Sequence, residues 1–240
     1  MTIADNLNRV REKIAAACAR AGRDPASVTL VAVSKTHPAL VVHEAAAAGV
    51  QHFGENRVEE AVTKLPEVKA LTSRPLTWHM IGHVQSRKVK DVLPLFPVVH
   101  SVDTVKLAEK FSREVVARGG IIDVLLEVNI SGEASKAGFA AYNWQHDAAV
   151  RETLTHEIAQ VTSLPGLRVR GLMTMAPIVA QMEQARPVFV GLAALRDTLS
   201  ASLGALLPDL SMGMTDDYPV AIEEGATLVR IGRAIFGERQ

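Results

Sequence analysis

The sequence predicts a TIM-type (β/α)8 barrel, a single domain over residues 1–240 with one extra helix in front of it. Three observations carry this. Eight short apolar or β-branched runs alternate with longer helical patterns to the C-terminus, several runs lack any period-2 alternation, and no Gly/Ser-rich linker divides the 240 residues. Near-continuous apolar runs suit parallel strands covered on both faces. An open doubly wound sheet is the alternative with the same ingredients; eight successive units without a break favour closure.

The first element is a helix. MTIADNLNRVREKI is amphipathic, and Leu7, Val10, Ile14 and Cys18 recur at helical spacing, with Gly22 placed to close it. On that stripe Cys18 reads as a packed core thiol. As the single cysteine it excludes an internal disulfide and fits a reducing compartment. The strand candidates follow as VTLVAVSK (28–35), VQHFGE (50–55), LTWHMIG (76–82), VVHSVD (98–103), IDVLLEVNI (122–130), LRVRGLMTMA (167–176), DLSMGMT (209–215) and TLVRIG (227–232). Between them lie helical segments such as PALVVHEAAAAG, TVKLAEKFSREVVARGG and QARPVFVGLAALRDTLSASLG.

Lysine plus arginine and aspartate plus glutamate number 26 each, so no net field draws nucleic acid or an anionic membrane, and any anion must be bound locally. The N-terminus lacks the apolar centre of a signal peptide, and no apolar run approaches the ~20 residues that span a bilayer. The expected setting is the cytoplasm.

In such a barrel the chemistry gathers where strands end and βα loops begin. Lys35 closes the first strand, where its amine would emerge inside the mouth. Desolvation there favours a free amine able to form a Schiff base; a solvated strand-end lysine is the plainer alternative. At the other end, TLVRIGRAIFG runs a strand into Gly232 and then a short helix, an arrangement that binds phosphate through backbone N–H groups. Ser211, in the loop after the seventh strand, can add a hydroxyl. Glycines serving only turns and packing are the alternative here. An amine that attacks aldehydes, facing a phosphate cradle, points to pyridoxal 5′-phosphate (PLP). A class I aldolase acting on a sugar phosphate is a further reading, but the neighbours of Lys35 are Ser34, Thr36 and His37 rather than carboxylates.

The stretches LVAVSKTHP (30–38), HFGENRVEEA (52–61), WHMIGHVQSRKVK (78–90), HSVDTVKLAEK (100–110), EVNISGEASKAGF (127–139), GLMTMAP (171–177) and LSMGMTDDYPVAIEEGATLVRIGRAIFG (210–237) resemble, in order, the YggS/PROSC family of pyridoxal phosphate homeostasis proteins. That family has the fold of the alanine racemase N-terminal barrel. The resemblance implies a Schiff base on Lys35, Arg230 facing the pyridine nitrogen, Asn56 near the ring, and phosphate contacts from the Ser211 hydroxyl and the amides of Gly232 and Arg233. Departures are Arg87 for a common asparagine, Met80 for phenylalanine and Thr215 for serine.

Arginine only donates, so at the pyridine nitrogen it requires the unprotonated ring and weakens the electron sink. The chain also ends soon after the phosphate loop, without the second domain that gives alanine racemase its other acid/base group. The expected role is therefore intracellular PLP homeostasis, holding PLP and passing it to apo PLP-dependent enzymes, by a monomer or weak dimer without robust catalysis. A weak amino-acid racemase or related fold-type III activity is the alternative.

Other residues have simpler readings. His79 and His83 have i, i+4 spacing but straddle a strand and a turn, which disfavours zinc. Asp216 and Asp217 are placed to cap a helix. Arg87, Lys88 and Lys90 form a solvated face without interleaved aromatics. Lys136, in a loop of small residues, is placed either to exchange PLP or to pair with Glu133.

Overall fold

The apolar runs become a closed parallel barrel in the structure, a computed structural model that describes residues 2–237; the outermost positions of the expected 1–240 domain lie outside them. In chain order the elements are α1 (Ile3–Arg20), β1 (Thr29–Val33), α2 (Ala39–Ala47), β2 (His52–Glu55), α3 (Val58–Leu71), β3 (Thr77–Met80), α4 (Val89–Val92), β4 (Val98–Val102) and α5 (Val105–Val116). They continue with β5 (Ile122–Asn129), β6 (Phe139–Ala140), α6 (Ala148–Thr162), β7 (Leu167–Met173), α7 (Arg186–Leu203), β8 (Asp209–Ser211), α8 (Tyr218–Glu223), β9 (Leu228–Ile231) and α9 (Arg233–Phe236).

Strands pair in parallel in the order β4-β3-β2-β1-β9-β8-β7-β5, and β4 pairs with β5 to close the ring. The open-sheet alternative is thereby excluded. The register brings Val31 beside Arg230 and Gly54 beside His79. β6 lies outside the ring and extends β5 at its C-terminal end, Val128 opposite Phe139. It is an element the sequence pattern does not announce, being two residues long.

Two apolar layers result. Phe53, Phe96, Phe111 and Phe189 are fully buried in the large cluster that also takes in the inner faces of the helices. Val31, Leu125, Met173 and Leu228, with Val98 against them, form a separate cluster drawn from five strands, which can meet only inside the ring. Each such buried side chain contributes about 1.5–3 kcal/mol.

α1 is opened by a reciprocal capping box between Thr2 and Asp5 and closed by Gly22 at φ +63°. Its stripe of Leu7, Val10, Ile14 and Cys18 is buried, and burial pushes the Cys18 thiol pKa up, as a packed core thiol requires. Asn6 Nδ2 donates to the Ile235 carbonyl at 2.9 Å, tying this helix to α9.

Several strands stop earlier than their apolar pattern: β8 covers Asp209–Ser211 rather than 209–215, and β7 ends at Met173 rather than 176. The released residues form the loops at the C-terminal mouth. Asp217 does occupy the position before α8, but its carboxylate accepts from the Met214 amide at 2.6 Å instead of capping the helix. Among the described residues no helix is long and apolar enough to cross a membrane.

Candidate functional site

The C-terminal mouth is where the expected residues meet. On β1, Val31 faces the ring interior and by strand alternation Val33 follows it inward; Ser34 points out, and Lys35 follows in the turn at the mouth. Ser34 Oγ accordingly donates to Glu55 Oε1 at 2.7 Å, on the side covered by α3. Immediately after Ser34 the chain turns, His37 N–H bonding back to the Ser34 carbonyl at 3.1 Å. Thr36 sits at the turn position that demands positive φ and adopts +68°, a conformation a β-branched residue normally avoids.

α3 holds this turn. Glu60 Oε1 accepts from the Thr36 amide at 2.6 Å, and Lys64 Nζ donates to the Ser34 carbonyl at 2.9 Å, to Glu55 Oε1 at 3.0 Å and to Glu60. Lys64 and Glu55 are both buried. Burial pushes the Glu55 carboxyl pKa up against the Ser34 bond and the Lys64 charge, and its Oε2 has no partner among the described residues. The two sides of the Lys35 peptide unit are therefore fixed by a buried ionic network rather than by the loop alone.

Arg230 lies on β9, next to β1, and is buried. Its Nη1 donates to the Ser211 carbonyl at 2.7 Å and to the Ser211 hydroxyl, and its Nη2 to the Thr174 carbonyl at 2.8 Å. Burial lowers its pKa to about 10, opposed by Glu127 and Asp217. The guanidinium thus stays charged at neutral pH without a carboxylate in hydrogen-bond contact among the described residues. Glu127, also buried, is raised by desolvation and by Asp103.

Gly232 follows β9 and Arg233 opens α9. The amides of Gly232, Arg233 and Ala234 have no backbone acceptor among the described residues, as the first turn of a helix leaves them. Arg233 pairs through its side chain with Asp216, joining the loop after β9 to the loop after β8. In the latter a Cβ on Gly213, at φ +89°, would lie 2.6 Å from the Ala221 Cβ. Only glycine fits that packing. Asn56, at the end of β2, meets the next loop as closely: a Cβ on Gly82 would lie 2.2 Å from the Asn56 carbonyl oxygen.

Ser211, expected in the loop after its strand, is instead the last residue of β8 and is fully buried. Its hydroxyl accepts from Arg230 on one side and lies 2.8 Å from His100 Nδ1 on the other. His100 in turn contacts His79, and His79 contacts His52. The sequence reading missed this line of histidines, weighing only the His79 and His83 spacing. His83 instead pairs with Asp103 at 3.0 Å. The available signal was that His52, His79 and His100 all fall on the inward alternation of their strands. Lys136 pairs with Glu133 and donates to the Met175 carbonyl at 3.0 Å, binding the loop after β5 to the end of β7. Lys88 pairs with Glu59 at 2.9 Å and Lys90 lies 3.9 Å from Glu114.

Residues 5–240 match the family described as alanine racemase, N-terminal domain. A pyridoxal phosphate homeostasis protein of Pseudomonas aeruginosa is 45% identical over 238 residues, covering 99% of this chain and 96% of that protein. One from Escherichia coli K12 is 41% identical, covering 99% and 97%. Among solved structures, PipY of Synechococcus elongatus with PLP bound superposes with a TM-score of 0.82 at 35% identity, covering 98% of this chain and all of that one. An alanine racemase of Clostridium difficile shares the fold alone, with a TM-score of 0.71 at 14% identity over 57% of its length.

Proposed function

The chain belongs to the alanine racemase N-terminal-domain family, among the pyridoxal phosphate homeostasis proteins, and we propose that it binds PLP at the C-terminal mouth of the barrel and holds it for intracellular supply. The observation that carries this is the placement of Lys35 just past the end of β1 and of Arg230 on β9, the strand paired with β1, beside the open amides of Gly232 and Arg233. These groups fit PLP: an amine for its aldehyde, a donor for its ring nitrogen and N–H groups for its phosphate. Lys35 would hold PLP through its amine, and the cofactor would supply an aldehyde open to reversible attack by that amine.

The protein's part is to place these groups and to limit what the ring can do. The Glu60–Lys64 network aims Lys35. The amides of Gly232 and Arg233 meet the phosphate, and the Arg233–Asp216 pair holds the two mouth loops together around it. Asn56 borders the ring. Arg230 offers the ring nitrogen a donor and no proton acceptor, which disfavours the protonated ring that carbanion chemistry uses. Holding and release therefore fit this site better than turnover. We place the protein in the cytoplasm as a monomer or weak dimer, with apo PLP-dependent enzymes as recipients and neither nucleic acid nor membrane as partner.

Amino-acid racemisation is the second reading, favoured by the likeness to an alanine racemase fold. The holo-protein, mixed with an apo PLP-dependent enzyme, should restore that enzyme's activity while leaving L-alanine unracemised. Sustained racemisation, or no transfer from protein shown to carry PLP, would overturn the carrier reading.

A further inference from the structure

Five side chains from five strands form one hydrogen-bonded line through the barrel interior. His52 Nδ1 on β2 meets His79 Nε2 on β3 at 3.0 Å, and His79 Nδ1 meets His100 Nε2 on β4 at 2.9 Å. His100 Nδ1 meets Ser211 Oγ on β8 at 2.8 Å, and Ser211 Oγ meets Arg230 Nη1 on β9. The interior of such a barrel is ordinarily filled by branched apolar side chains. A buried polar line in their place is costly unless every member is satisfied.

The line has one self-consistent polarity. A guanidinium only donates, so Ser211 Oγ accepts from Arg230. The hydroxyl proton then has one acceptor within reach among the described residues, His100 Nδ1. An accepting Nδ1 makes His100 the Nε2–H tautomer, which donates to His79 Nδ1. By the same step His79 donates through Nε2 to His52 Nδ1, and half-buried His52 ends the line as an Nε2–H tautomer. The reversed order would direct two donors at Ser211 Oγ and leave its proton without an acceptor. Neutral rings are required throughout, and burial supplies them: His79 is held at about 3, with a smaller contribution from His52, and His100 lies well below the ordinary histidine value.

We propose that His79 and His100, with His52 as terminus, are positioning residues for the cofactor-facing guanidinium. By absorbing the Ser211 proton they keep a Ser211 lone pair turned to Arg230. Together with the Ser211 and Thr174 carbonyls this fixes the guanidinium plane. Of the five N–H groups an arginine carries, the Nε–H and one Nη2–H then remain without a protein acceptor among the described residues, free for a ligand nitrogen. The histidine line thereby does for a buried arginine what a paired carboxylate usually does, without adding a negative charge near the ring. The proposal rests on the reading that Arg230 faces the PLP ring nitrogen.

The test is nitrogen NMR of protein with 15N-labelled histidine, first free of PLP and then loaded with PLP labelled at the ring nitrogen. In the PLP-free protein all three rings should be neutral Nε2–H tautomers. His100→Phe, which fills the space but cannot accept a proton, should weaken PLP binding on the order of tenfold, the loss expected of one unpaired buried hydrogen bond, and should shift the bound ring-nitrogen resonance. His100→Gln, which can accept from Ser211 and donate to His79, should restore most of both. An Nδ1–H tautomer or an imidazolium at His100, or unchanged PLP affinity and ring-nitrogen resonance in His100→Phe, would overturn the proposal. A protonated ring nitrogen in the unsubstituted protein would overturn the Arg230 reading and the proposal with it, and the tautomers read without PLP distinguish that failure from a failure of the line itself.

Discussion

Thr36 pairs the least suitable residue type with the most constrained turn position beside the candidate lysine. A β-branched side chain at φ +68° stores on the order of 1–3 kcal/mol, which the Glu60 bond to its amide must hold in place. Thr36→Gly should therefore raise stability by about 1 kcal/mol, read as a higher denaturant midpoint at unchanged slope. A lower midpoint would show that the Thr36 side chain contributes more than its backbone costs. Nothing in the sequence marks this position, because pattern reading expects glycine or asparagine where φ is positive. Lys35 itself was legible as a strand-end amine, and Arg230 as part of VRIG. The engagement of Ser211 by Arg230 and His100 was not, since these partners lie 19 and 111 positions from it and only the closed ring joins all three.

At the scale of elements, the end of β1 is held by α3 as much as by its neighbours in the sheet. Lys64 reaches from that helix into a buried site where Glu55 has one oxygen bonded and the other without a partner among the described residues. Lys64→Met would remove the cation and leave that carboxylate uncompensated, at a cost of about 3–5 kcal/mol. The double variant Lys64→Met with Glu55→Leu should recover most of the loss, and thermal or denaturant unfolding of the set reads both. A single variant as stable as the parent would contradict the clamp. Elements were the most legible level: each of the eight apolar runs contains an observed strand, because buried parallel strands need continuous apolar side chains whatever their neighbours are. Their ends were less legible, as at β8, where chain with strand-like composition leaves the ladder to form the mouth.

For the whole molecule, the polar interior ties stability to pH. His79 is neutral in the fold, at about 3, and titrates near its ordinary value of 6.5 once unfolded. Between those values the unfolded chain binds the extra proton, so stability falls as pH falls, by up to about 1.4 kcal/mol per unit from this group. Glu55 and Glu127, raised mainly by burial, act in the opposite sense, because the folded state holds their protons more tightly. The comparison of slopes isolates the histidine: His79→Gln should lose its share of the acid sensitivity between about pH 6 and pH 4. Identical slopes would show that His79 is charged in the fold. The central claim, that this barrel holds PLP on Lys35, is tested most directly by borohydride reduction of the PLP-loaded protein followed by peptide mass mapping. The account predicts one pyridoxyl-phosphate adduct, on the peptide carrying Lys35, and none at that site in Lys35→Ala; an adduct confined to Lys136 or another lysine, or none from protein that retains PLP, would contradict it.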